Sequence, residues 1–259
     1  MTPRVTSAAA PAWRSTLAMI AMELRLALRR GETLVATAVL PVVVLVFFSS
    51  VLVLPSASGV GSPVDFVLPG SIAFAIIATS LVSLGITTGY DRSYGVLKRL
   101  GGSPLSRSEL LAAKVAGVLV VEAVQVALLV AVAALVLGWQ VAPGSSALLV
   151  VVAVLLGTLA FAGLGLLLAG LLRAETMLAV ANVLFVLSLA LGGIVVPVDH
   201  LPSALAALAG ALPAAALSDA LRVALAAPAA PADAAAPLAI LTIWGVGAAV
   251  LAARTFRWE

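Results

Sequence analysis

Six apolar runs, each near the length of a bilayer crossing, leave this chain few ways to fold. They fall at about 34–54, 70–90, 115–137, 147–172, 176–196 and 238–253. A transmembrane helix needs about 20 apolar residues, because its backbone polar groups must be satisfied internally. The chain is 63% hydrophobic and 10% charged, whereas soluble domains carry roughly 25% charged residues. The expected fold is therefore all-α: one polytopic membrane domain over residues 1–259, with six transmembrane helices.

One long charged island interrupts the pattern. Residues 91–114, DRSYGVLKRLGGSPLSRSELLAAK, lie between the second and third runs. They must sit in water or against a water-soluble partner. Residues 93–100 can form two helical turns, Gly101 and Gly102 can end them, and Ser103–Pro104 can start the next turn. The island reads as a docking platform. A second reading is that its cations anchor the flanking spans at an anionic leaflet, worth about 1 kcal/mol each.

The remaining segments follow from composition. Residues 1–12 are rich in Ala, Pro, Ser and Thr and read as a disordered tail. Over 13–30, Trp13, Leu17, Ile20, Leu24 and Leu28 share one helical stripe, with Arg14, Arg25 and Arg29 off it. That pattern suits an amphipathic elbow helix in the membrane interface; the alternative is a cytosolic extension of the first span. Residues 55–69 read as a loop and 228–237 as a low-complexity connector. Residues 197–237 are too long for a tight turn and too apolar for a solvated loop. Short half-helices at 201–209 and 214–227, split by Pro213, are expected there.

Charge sets the orientation. All of the 14 Lys and Arg residues except Arg222 fall on one side of this arrangement. The positive-inside rule puts both termini and the island in the cytoplasm. The net charge of +3 reports this loop bias, so no nucleic-acid partner is inferred.

Several chemistries are excluded. The chain has no Cys and one His, which removes disulfide frameworks, Cys nucleophiles and a HExxH zinc site. A phosphate-binding P-loop ends in Gly-Lys-Ser/Thr, but Lys98 follows Leu97 and Lys114 follows Ala113. His200, in VPVDHLP, reads as a loop or capping residue. No catalytic constellation and no metal site are expected, and no cofactor in this chain.

Polar residues inside the runs are candidate sites, since charge at mid-bilayer is costly. Glu122 and Gln125 share a helix face. Two roles are open for Glu122: contact with a cationic substrate in a cavity, or a hydrogen bond to a neighbouring helix. Asn182, in the fifth run, is a pathway or a structural residue. Asp219 and Arg222 are three apart and can pair. Ala153/Gly157 and Gly165/Ala169 allow close helix approach.

The order of features resembles the ABC-2 type permeases, the membrane subunits of a class of bacterial ABC exporters, over nearly the whole chain. The residues carrying the resemblance are the elbow at 13–30, DFVLPG at 65–70, Asp91–Arg92, GVLKRL at 95–100 and PLSR at 104–107. GGIVVPVDHLP at 192–202, LP at 212–213, DALR at 219–222 and FRWE at 256–259 continue it. The set looks most like the daunorubicin-resistance branch, which exports drugs and natural products. The resemblance implies a bacterial plasma-membrane protein and a dimer of two permeases, identical or different. Two separate ABC ATP-binding subunits would hold ATP and Mg. It implies that Arg92, Tyr94, Gly95, Leu97, Lys98, Arg99 and Leu100 couple to the ATPase. It further implies an extracellular re-entrant region with Pro197, Asp219 and Arg222 at its gate. Competing readings are a permease for a lipid-linked glycan or lipid, and a channel or assembly factor without an ATPase. A membrane enzyme is disfavoured by the missing catalytic sets.

Overall fold

The structure, a computed structural model, describes residues 19–23, 25, 31–51, 62–102, 106–194, 197–225 and 231–255. Among them there is no strand. The helices are α1 (Gly31–Val51), α2 (Pro63–Ile76), α3 (Leu84–Ser93), α4 (Val96–Gly101), α5 (Arg107–Val136) and α6 (Ala147–Leu171). They continue with α7 (Ala174–Leu191), α8 (Ser203–Gly210), α9 (Pro213–Leu225) and α10 (Pro231–Thr255). A π-helical segment, Ile77–Ser83, joins α2 to α3, so Pro63–Ser93 is one continuous rod of 31 residues.

Five helices are long and apolar enough to cross a bilayer, or six if the bent pair α8–α9 is one span. That pair turns through 79° at its break. The described apolar stretch of α1 is shorter, Thr37–Ser50. Leu135, Leu148 and Ile243 are 85%, 72% and 72% exposed. Side chains so apolar and so exposed all round a bundle call for a lipid surface. Together these features make a multi-pass membrane protein.

The rod Pro63–Ser93 is the axis. Of its most apolar stretch 89% is buried, against 17% to 39% for the other candidate spans. Helices α1, α5, α6 and α9 surround α2. The main apolar core runs along it through Leu68, Ile72, Ile76 and Leu81, meeting Phe161 on α6, Leu217 on α9 and Leu241 on α10. The longest packing seam joins α6 to α10, which run parallel. A Cβ on Gly163 would stand 2.9 Å from that of Ala248.

Several expected boundaries move. The second span starts at Pro63, so DFVLPG lies inside a helix and not in a loop. Pro63 suits a first turn, where its missing N–H has no partner to lose. Ser62 precedes it, and its N–H donates to Asp65 Oδ2 at 3.0 Å in a capping box. The helix that carries the third span starts at Arg107, ahead of the apolar run expected from 115. Ser106 caps it, accepting from the Glu109 N–H at 3.2 Å. At 30 residues, α5 is about 45 Å long, so its first turns project beyond a bilayer core of about 30 Å. The island is therefore mostly helical. The supposed connector at 228–237 supplies the first turns of α10 from Pro231, with Pro237 inside the helix. The fifth span ends at Leu191, not 196. Of the amphipathic segment 13–30, residues 19–23 and 25 are helical. Its remainder, the tail 1–12, residues 55–61 of the expected loop, Pro104 and FRWE lie outside the described residues.

Candidate functional site

The charged island folds into a short helix held at one pole of the bundle. Gly95 has φ +69°, the left-handed region, and turns the chain from α3 into α4. A helix of six residues is not stable alone. Leu97 anchors it: the side chain is 0% exposed and clusters with Met19, Leu110 and Ala113. Leu100 is half-buried beside them. Lys98 and Arg99 point outward and are exposed. Tyr94 is 74% exposed and stacks on Tyr90 at 5.9 Å between ring centroids.

Two polar ties fix this pole. Arg92 donates from Nη1 to the Gly170 carbonyl and from Nη2 to the Leu172 carbonyl, capping the C-terminal end of α6. Lys114, 3% exposed, reaches Glu23 at 3.0 Å and Asp91 at 2.9 Å. One ammonium thus joins the segment before α1, the end of α3 and the base of α5. A polar recess of about 660 Å³ opens beside these ties, lined by Tyr90, Arg92, Tyr94, Arg173 and Glu175 among others.

Midway along the axis lies a buried polar hub. Ser80 Oγ donates to Glu122 Oε1 at 2.5 Å. Thr158 Oγ1 stands 2.5 Å from Glu122 Oε2 and 2.8 Å from the Val154 carbonyl. Thr79 Oγ1 donates to Gln125 Oε1 at 3.0 Å, and Gln125 Nε2 donates to the Thr37 carbonyl at 3.1 Å. Four elements meet there: α1, the π-helical segment, α5 and α6.

Next to the hub, and sharing Thr37 with it, is an apolar cleft of about 320 Å³. That is within the size range of small-molecule pockets. Leu40, Pro41, Phe74, Val82, Ile86 and Phe185 form most of its wall. Its polar lining includes Asn182, whose Nδ2 donates to the Leu178 carbonyl at 2.8 Å. At the opposite pole, Arg222 pairs with Asp219 at 2.9 Å, donates to the Gly193 carbonyl and lies 4.2 Å over the Phe66 ring. It thereby ties α9 to the 192–194 turn and the first turn of α2. Pro197 is half-buried ahead of a 3₁₀ turn, Val198–His200.

A family model described as ABC-2 type transporter matches residues 14–226. The chain belongs to the ABC-2 type transporter family. No curated protein matches it. Members of this family are membrane permeases that generally work with a separate ATP-binding subunit. The matched stretch carries α1 to α9, so it includes the short helix, the hub and the cleft.

The structure sorts the sequence-selected residues of this ABC-2 protein into different places. Lys98, Arg99 and Tyr94 share the exposed side of one pole, while Leu97 and Arg92 are turned inward as anchors. Glu122 and Gln125 sit together in the hub, whereas Asn182 lines the cleft. Asp219 and Arg222 do pair. Sequence reasoning passed over Thr79, Ser80, Thr158, Glu23 and the buried position of Lys114. Isolated hydroxyls in an apolar run were the available signal for the first three, because such groups need partners in a membrane. Among the described residues no cluster of His, Asp and Glu could hold a metal.

Proposed function

We propose that this chain is the permease subunit of an ATP-driven exporter. It takes an amphipathic drug, natural product or lipid-like molecule from the cytoplasm or inner leaflet outward. ATP, with Mg, is bound and hydrolysed by two copies of a separate subunit, and two permeases form the channel. The motif order favours the daunorubicin-resistance-like branch. The chain lies in the bacterial plasma membrane with both termini and α4 in the cytoplasm, following the bias of Lys and Arg.

One observation carries this reading: a single rod, Pro63–Ser93, runs from the wall of the apolar cleft to the short cationic helix α4. Force applied at α4 therefore reaches the cleft through one element. Lys98, Arg99, Tyr94 and the Gly95 turn present the face for the ATPase, while Leu97, Leu100 and Arg92 keep that face rigid. Asn182 is the polar contact for cargo in the cleft. Both carboxylate oxygens of Glu122 are engaged inside the bundle, which favours its neighbouring-helix role. The re-entrant reading of α8 and α9 rests on their sharp bend, with Pro197, Asp219 and Arg222 forming the outer closure.

The test is affinity purification of the full chain from its native membrane, followed by reconstitution in liposomes. The expected result is an ABC ATP-binding protein in stoichiometric yield, with ATP-dependent movement of an amphipathic dye or a labelled lipid by the complex. Steady ATP hydrolysis by the chain alone would overturn the proposal, and so would the absence of any ATPase companion.

A further inference from the structure

The axial rod is not plain α-helix, and the place where it departs lies between the hub and the cleft. Ile77–Ser83 is π-helical. A π turn fits an extra residue into the helix and recurs at functional positions. It competes with the better-packed α form, so outside contacts must favour it. Here they do, from two sides. Thr79 and Ser80 donate to Gln125 and Glu122, and Thr158 holds the other Glu122 oxygen. All five side chains are at most 5% exposed. On α6, Gly165 makes room for the carbonyls that the π segment turns outward. A Cβ there would stand 2.9 Å from the Ser80 oxygen and 3.0 Å from the Leu81 oxygen. Ala78, Val82 and Ser83 of the same segment are wall of the cleft.

We propose that Glu122, Gln125, Thr158 and Gly165 form a clamp that keeps the π segment in register and so sets the shape of the cleft. Glu122 and Gln125 are positioning residues, acting through Thr79 and Ser80. With the clamp released, the extra residue moves along the rod or is lost from it. Each residue it passes turns by about 100° on the helix, and Ala78, Val82 and Ser83 leave the cleft wall. Arg92 at one end and the rod's close packing at the other hold the flanking turns. A bound cargo that favours one register would thus be felt at the hub. This inference rests on the reading of the cleft as the cargo route.

The chain has no cysteine, so single reporters can be read without background. Ser83→Cys reports the cleft wall, and Ser93→Cys, exposed at the end of α3, is the control. The full chain in lipid nanodiscs is labelled with a fluorescent maleimide in three backgrounds: Glu122→Ala, the double variant Ser80→Ala/Thr158→Ala, and Glu122→Gln. The expected result is a change of about tenfold or more at Ser83→Cys in the first two. Glu122→Gln, which keeps length and hydrogen-bonding reach, should stay near the parent rate, and Ser93→Cys should not change. Unchanged labelling of Ser83→Cys in the double variant overturns the clamp, even if Glu122→Ala fails to fold. A parallel change at Ser93→Cys overturns it too, because that is general loosening. A Gln variant as reactive as the Ala variant overturns the hydrogen-bonding role. Labelling needs neither ATPase nor cargo, so failure of the transport reading would show separately, in the reconstitution.

Discussion

Lys114 shows how a single residue can bind three segments. Its side chain is 3% exposed, and its ammonium is satisfied by Glu23 and Asp91, whose side chains are 21% and 23% exposed. Removing one partner of such a set costs more than the set contributes, because it leaves charge unpaired at low dielectric. Lys114→Ala should therefore lower stability by about 3 kcal/mol. The triple variant Lys114→Ala/Glu23→Ala/Asp91→Ala should recover part of that loss. Thermal unfolding of the detergent-purified chain checks both, and a triple variant less stable than the single one contradicts the argument. Asp91 and Lys114 stand in the charged island, where both read as solvent-facing. Only the meeting of α3, α5 and the helical residues 19–23 takes Lys114 out of water.

Among the elements, α4 gains its structure from its neighbours. Leu97 packs inward and Arg99 points out, so two substitutions only two residues apart should fail differently. Leu97→Asp places a carboxylate among Met19, Leu110 and Ala113, costing several kcal/mol. It should detach α4 and lower the unfolding temperature. Arg99→Glu is at the surface, where stability changes stay within about 0.5 kcal/mol. It should leave the unfolding temperature unchanged while weakening capture of the ATP-binding partner. Co-purification yield beside a melting curve separates the two. If Arg99→Glu keeps full partner capture, the outward face of α4 is not the docking surface. Position 97 could be read from sequence as apolar, but its direction could not. Direction depends on Gly95 taking a positive φ and on what stands beneath the helix.

For the whole molecule, the helix order separates two poles. One holds α4, the base of α5, the α6–α7 turn and Arg254. The other holds α8, α9 and Arg222. Orientation can be tested in intact cells with a membrane-impermeant maleimide, again without background thiols. Ser203→Cys, exposed at the start of α8, should label from outside, and Ser93→Cys only after permeabilisation. The reverse pattern would put α4 outside the cell and remove the case for an ATP-driven permease.

Class and membrane placement were legible from sequence, because apolar length is a local property read against the bilayer one segment at a time. The same locality explains the misplaced ends. Pro63 and Pro231 read as loop residues, yet each begins a helix, where proline loses no hydrogen bond, and tertiary packing carries Pro69 and Pro237 inside. The i, i+3 spacing of Glu122 and Gln125 announced one shared face. Nothing along the chain announced that the face meets Thr79, Ser80 and Thr158, or that the second span carries a π segment. Those follow from how each helix is rotated and which helices lie beside it. Rotation and neighbour choice come from packing of all the helices together, so only the tertiary structure could decide them.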